Sequence, residues 1–201
     1  MSLANHLVIF VKAPRLGRVK TRLEGELGPM GAWRFYRRMT ERLLRRVGGD
    51  QRWRTWLAVT PDAFVNRGRF WPNRFERIAQ GTGDLGARMA RPMRALPRGP
   101  VVIVGSDIPA IERRHIVEAF RLLGSRDVVL GPAADGGYWL VGLRRRPVML
   151  ELFAAVEWSG PRVLEQTLAK LSPRAKVVLL EELDDVDGPE AYARWKARAM
   201  L

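Results

Sequence analysis

The feature that most restricts the fold is a repeated change of hydrophobic period along the chain. Apolar runs of strand length, at residues 6–11, 54–59, 74–79, 101–105, 127–131, 138–143 and 176–180, alternate with stretches whose apolar residues recur at helical spacing. This β-α-β-α order excludes an all-helical bundle and an all-strand barrel. Several runs, such as Val101-Val102-Ile103-Val104, are apolar at every position, as strands covered on both faces require. A layered α/β sandwich follows.

The helical stretches fall at 30–47, 84–96, 112–123, 160–171 and 189–199. In the first, Trp33, Tyr36, Met39, Leu43, Leu44 and Val47 form one stripe, while Arg34, Arg37, Arg38, Arg42, Arg45 and Arg46 fall largely elsewhere. Pro161 and Pro189 suit the first turns of the last two helices. With no repeat, low-complexity tract or linker, residues 1–201 read as one domain.

Residue types narrow the chemistry. The 201 residues include no Cys and two His, which excludes a disulfide framework, a thiolate metal site and a cysteine nucleophile, and argues against a histidine cage. Any metal is expected to be held by oxygen. The run Leu7-Val8-Ile9-Phe10-Val11 is far shorter than the roughly 20 residues of a membrane helix and has no signal-peptide pattern after it. A cytoplasmic protein with no membrane span is the expectation. Residues 1–100 carry 21 basic and 7 acidic side chains and residues 101–201 carry 14 of each, so the net charge of +14 sits wholly in the first half. Such asymmetry suits a polyanionic partner, although solvated helix faces account for many of the arginines.

Five connections after strands are rich in Gly, Asp, Lys and Arg, and open α/β sheets bind ligands at the carboxyl ends of their strands. Residues 12–22 offer five cations with a Pro and a Gly, which suits a loop around phosphates as well as a solvated basic loop; the P-loop spacing is absent. Residues 81–86 match G-x-G-x-x-G, with Asp107 placed 21 residues after Gly86, so a dinucleotide site has to be weighed. Against it, the run before this turn is poor in aliphatics; Asp84 equally suits a helix start. Asp107, in Gly105-Ser106-Asp107-Ile108-Pro109, suits either a Mg²⁺ or Mn²⁺ ligand facing a diphosphate or a simple turn. In residues 131–139, Gly136 and Gly137 permit close backbone approach and Asp135 could orient or deprotonate a hydroxyl, while Asp-Gly-Gly also signals a hairpin. Asp184, Asp185 and Asp187 could complete an oxygen-ligand site, or precede a helix at Pro189.

Together these motifs resemble a bacterial family of rSAM/selenodomain-associated transferase 1 proteins, grouped with glycosyltransferases of the GT-A, nucleotide-diphospho-sugar transferase type. The similarity runs from His6 to about Tyr192. It rests on K-A-P-R-x-G-x-V-K-T-R-L at 12–23, G-D-L-G-x-R-M at 83–89, G-S-D-x-P at 105–109, G-P-A-x-D-G-G-Y at 131–138, and Trp158-Ser159 before Val163-Leu164. The resemblance implies a three-layer α/β/α sandwich with a mixed, mainly parallel sheet. It implies nucleotide binding by Lys12, Arg15, Gly17, Lys20 and Arg22, with Gly83, Asp84 and Arg88 of the second motif, and metal binding by Asp107. Asp187 resembles the second Asp of the D-x-D-T-P-E-D ending of related nucleotidyltransferases, although Gly188 and Ala191 replace its Thr and last Asp.

The expected function is transfer from a nucleotide-activated donor, with Mg²⁺ or Mn²⁺ as cofactor and a small-molecule acceptor. Asp107 and Asp187 are the expected metal ligands. Gly136, Gly137 and Tyr138 are the expected substrate-binding residues, and Asp135 the expected catalytic one. A glycosyltransferase acting on a nucleotide sugar leads; a guanylyltransferase-like enzyme releasing pyrophosphate from an NTP is the alternative. No nucleic-acid motif supports a nucleic-acid partner, and the sequence does not set the oligomeric state.

Overall fold

The computed structural model describes residues 3–67 and 70–199. Seven strands form one sheet: β1 (His6–Lys12), β2 (Arg54–Thr60), β3 (Glu76–Ala79), β4 (Val101–Gly105), β5 (Val128–Pro132), β6 (Tyr138–Leu143) and β7 (Val177–Leu179). Their order is β3-β2-β1-β4-β6-β5-β7. β6 runs antiparallel to both neighbours, and every other pairing is parallel. The sheet is therefore mixed and mainly parallel.

The helices are α1 (Glu24–Val47), α2 (Leu85–Ala95), α3 (Arg113–Leu122), α4 (Val163–Ala169) and α5 (Pro189–Ala199). Alternating positions of β1 explain the layering. Leu7, Ile9 and Val11 join a cluster with Leu43, Leu44 and Val47 of α1 and Ile116, Ala119 and Phe120 of α3. Val8 turns to the opposite face, packed with Met89, Ala90 and Met93 of α2. Helices thus cover both sides, which is why the strands tolerate apolar residues throughout.

Two helix boundaries differ from the sequence reading. α1 begins at Glu24, but Gly28 (φ 67°, ψ 164°) breaks it and the regular helix starts at Pro29, whose missing N–H costs nothing there. α4 begins at Val163 instead of 160, so Pro161 lies before it. The predicted stripe of α1 faces the core, except that Trp33 stays half-buried and donates its Nε1–H to the Pro14 carbonyl at 2.7 Å. Arg46 does not simply solvate the helix: its Nη1 donates to the carbonyls of Pro109 (2.6 Å) and Ile111 (3.3 Å), holding the segment that follows β4.

Candidate functional site

β1 has β2 on one side and β4 on the other, and the chain returns on opposite sides of it, so a crevice opens where these strands end. The first connection leaves β1 under the control of α1. The Tyr36 hydroxyl donates to the Lys12 carbonyl (2.9 Å) and accepts from the Lys12 N–H (2.8 Å); burial pushes its pKa up. The loop then turns through Gly17 (φ 66°) and reaches Lys20 in the left-handed region (φ 49°, ψ 40°).

Lys20 joins the two ends of the chain. Its Nζ donates to Asp107 Oδ2 and Asp187 Oδ1, each at 3.2 Å, and Arg22 Nη1 donates to Asp187 Oδ2 at 2.9 Å. Asp107 is there because it follows β4 directly. Asp187 is there because the segment after β7 is stitched to the sheet edge: Leu180 N–H donates to the Leu130 carbonyl (2.8 Å), Leu183 N–H to Pro132 (3.1 Å) and Val186 N–H to Asp107 (3.0 Å). Glu181 secures the same segment, accepting from Arg114 Nη1 and meeting His115 Nε2, each at 2.6 Å. His115 Nδ1 accepts the Glu112 N–H, so its ring proton sits on Nε2, toward Glu181.

A further carboxylate belongs to this neighbourhood. Asp185 is half-buried, and desolvation raises its pKa, reinforced by the charges of Asp135, Asp107 and Asp187 and opposed by Lys20. Asp185 is not among the ligands expected from sequence, although the alternation Asp185-Val186-Asp187, with an apolar residue between two acids, is a usable signal for it. Asp135 lies in the β5–β6 hairpin, where its Oδ1 accepts the Gly137 N–H at 2.9 Å.

The remaining candidates occupy other positions. Lys12 ends β1, and Arg15 and Gly17 lie in the loop that follows, with the Arg15 guanidinium 5.2 Å from the Phe64 ring centroid. Gly83, Asp84 and Arg88 lie beyond β3, an edge strand separated from β4 by β2 and β1. Asp84 caps α2 by accepting the Ala87 N–H at 2.7 Å, and Arg88 bonds the buried Gln80 side chain. This arrangement does not match a dinucleotide fold, in which the glycine turn follows a central strand. Gly86 serves packing: a Cβ there would stand 2.6 Å from the Trp158 ring. Gly136 (φ 86°) lies against the Pro161 carbonyl. Tyr138 turns its hydroxyl inward, buried beside the equally enclosed Thr167 hydroxyl, so only its ring or backbone could meet a substrate without rearrangement.

The donor set suits a divalent cation shared with a ligand. Two carboxylates meet on one positive group, the Lys20 ammonium, and no group of three or more His, Asp or Glu able to hold a metal occurs among the described residues. Two carboxylates completed by substrate phosphates and water is a common Mg²⁺ arrangement. A cavity of about 410 Å³ between α1 and residues 70–74 contains none of these carboxylates. Among the described residues no helix is long and apolar enough to cross a membrane.

Residues 43–160 match the family described as "Uncharacterized protein conserved in bacteria (DUF2064)". Among solved structures, a provisionally named nucleotide-diphospho-sugar transferase from Desulfovibrio desulfuricans G20 is 29% identical, with a TM-score of 0.83 over 92% of this chain and 82% of that one. The 4-diphosphocytidyl-2C-methyl-D-erythritol synthase of Anaerococcus prevotii DSM 20548 shares the fold at 10% identity, with a TM-score of 0.67 over 98% and 96% of the two chains. A manganese complex of Rv0371C from Mycobacterium tuberculosis H37Rv shares it at 17% identity, with a TM-score of 0.53 over 96% and 97%. No curated protein matches the sequence.

Proposed function

The chain belongs to the DUF2064 family and has the GT-A-like nucleotide-diphospho-sugar transferase fold, and from these premises we propose that it is a Mg²⁺- or Mn²⁺-dependent glycosyltransferase acting on a nucleotide sugar. The observation that carries this reading is the meeting of Asp107, Asp187, Lys20 and Arg22 at the ends of β1 and β4. Anionic and cationic groups are both needed there, the former to hold a cation and the latter to neutralise a departing diphosphate. The name of the 29%-identical neighbour points the same way.

In this reading Asp107 and Asp187 hold the divalent ion, which supplies Lewis-acid stabilisation of the leaving diphosphate. Lys12, Arg15, Lys20 and Arg22, with Gly17 allowing the turn, bind its oxygens. Gly83, Asp84 and Arg88 shape the nucleotide side of the crevice, and the Gly136-Gly137-Tyr138 segment faces the transferred sugar or a small-molecule acceptor. Asp135 Oδ1 is occupied by the Gly137 N–H, so Oδ2 is the atom that accepts the acceptor hydroxyl's proton. The enzyme acts as one domain in the cytoplasm, where nucleotide donors are made.

The second reading is a nucleotidyltransferase, favoured by the shared fold of the cytidylyl synthase and by Asp185-Val186-Asp187-Gly188-Pro189-Glu190. A thermal-shift panel of nucleotide sugars and NTPs with and without Mn²⁺ tests both, because a ligand of the native state raises its apparent stability. Product analysis then separates them: a nucleoside diphosphate from a sugar nucleotide supports the first, and pyrophosphate from an NTP the second. Binding that ignores Mn²⁺ overturns the metal-dependent reading.

A further inference from the structure

Lys20 is placed unlike an ordinary phosphate-loop lysine. Its side chain is 3% exposed, whereas those of Asp107 and Asp187 are 42% and 44% exposed, so the ammonium is the enclosed partner and the carboxylates are the accessible ones. Its backbone adopts a left-handed conformation that costs a residue with a Cβ. The Leu23 N–H closes the turn on the Lys20 carbonyl at 2.9 Å, which fixes the Cα from which the side chain reaches inward. Nζ then takes one oxygen from each aspartate, while Arg22, 76% exposed, takes the other oxygen of Asp187. The ammonium therefore engages the two carboxylates from the position that a cation shared between them would use.

We propose that Lys20 is a specificity-determining residue that competes with free divalent cation for Asp107 and Asp187, so that the pair accepts the ion only together with the donor's phosphates. The inference rests on the reading of these aspartates as the metal ligands and adds a role that phosphate binding by Lys20 does not supply. A dication reaching the pair without phosphate must displace the ammonium from both oxygens or share them with a like charge a few ångströms away, and either is unfavourable. When a diphosphate arrives with the ion, the displaced ammonium finds new acceptors on it. Lysine suits the exchange, because its point charge and flexible stem let three donors re-aim. No covalent bond changes and no proton moves.

The test is direct titration of the folded protein with Mn²⁺, followed by calorimetry and by the electron paramagnetic resonance of free Mn²⁺, in the absence of nucleotide. Wild type, Lys20→Met and Arg22→Met are compared, with circular dichroism reporting folding and Lys20→Gln replacing Lys20→Met if the latter does not fold. Lys20→Met is expected to bind Mn²⁺ about tenfold more tightly than wild type, and Arg22→Met to gain less than about threefold, because Arg22 holds only the outer oxygen. Lys20→Met is also expected to lose affinity for the Mn²⁺–pyrophosphate complex. Equal Mn²⁺ affinity in wild type and Lys20→Met overturns the competition and leaves the metal reading standing. Equal gains in the two charge-removing variants also overturn it, reducing the effect to net charge. Absence of Mn²⁺ binding in every variant overturns the competition, whereas the metal reading fails only if nucleotide binding also ignores Mn²⁺.

Discussion

The backbone N–H of Val186 donates to the carbonyl oxygen of Asp107 at 3.0 Å, while the Val186 side chain is buried with Leu23 and Ala32. One residue thus ties the end of β4 to the segment after β7 and anchors that segment in apolar surroundings. Asp187 is presented beside Asp107 because Val186 is fixed. Val186→Ala removes packing without touching either carboxylate, and is expected to cost about 1–2 kcal/mol of stability. It is also expected to weaken Mn²⁺-dependent nucleotide binding. Urea unfolding and nucleotide titration check the two effects separately; unchanged titration would show that the Val186 side chain is not needed to place Asp187.

Removing one carboxylate charge while keeping its shape isolates the electrostatic role of the pair. Asp107→Asn and Asp187→Asn are each expected to abolish Mn²⁺-dependent nucleotide binding. Each pair joins an exposed carboxylate to the enclosed Lys20 ammonium, which keeps the other aspartate as partner, so each variant is expected to lose about 1–2 kcal/mol of stability and stay folded. Nucleotide titration with and without Mn²⁺, alongside thermal melts, separates lost binding from lost folding. A titration curve identical to wild type would remove these residues from the site.

The architecture was legible because its signals are local. Each of the seven apolar runs is a strand, and the stretches with helical spacing pack as helices on the two faces. Sheet order is not local, and this is why G-x-G-x-x-G at 81–86 raised a dinucleotide site until β3 proved to be an edge strand. The convergence of Lys20 and Arg22 with Asp107 and Asp187 is likewise tertiary: the sequence nominated all four, but the pairing depends on segments returning to one sheet edge. Arg46 shows the opposite case. Helical periodicity assigned it to the solvent side, and nothing in the pattern marks an arginine that will reach the Pro109 and Ile111 carbonyls. Tyr138 comes from a glycine-rich loop, yet its side chain packs into the apolar cluster that includes Leu164 and Leu168 of α4, which turns its hydroxyl inward.

Gly136 combines a positive φ of 86° with a backbone neighbour: a Cβ there would lie 1.9 Å from the Pro161 carbonyl oxygen. Neither problem is relieved by a side-chain rotation. The Gly136 carbonyl also accepts the Leu164 N–H at 3.0 Å, so any shift of the hairpin disturbs the start of α4. Gly136→Ala is expected to destabilise the protein by about 2–4 kcal/mol, a clash and backbone strain acting together. Gly17→Ala is the contrasting case, with φ 66° but nothing within 4 Å of the added Cβ, and should cost only about 1 kcal/mol. Chemical denaturation of both variants tests the ranking; equal losses would mean that the Pro161 contact yields easily.

Asp50 supplies a pH dependence far from the carboxylate pair. Arg52 donates to it from Nη2 (2.6 Å), Nε (2.9 Å) and its backbone N–H (3.0 Å), and Arg113 Nε lies 3.5 Å away. Hydrogen bonding from Arg52, opposed by desolvation and aided by the Arg113 charge, lowers the carboxyl from 3.8 to about 2. As pH falls, the unfolded chain takes up this proton before the folded one, so the contribution to stability is fully present above about pH 4 and is lost on descending to about pH 2. Arg52 is 53% exposed, so screening limits the contribution to about 1 kcal/mol. Asp50→Asn should therefore be less stable than wild type at neutral pH, with the difference closing between pH 4 and pH 2. Denaturant melts of both proteins across that range measure it, and a difference that stays constant with pH would show that Asp50 acts through packing instead of charge.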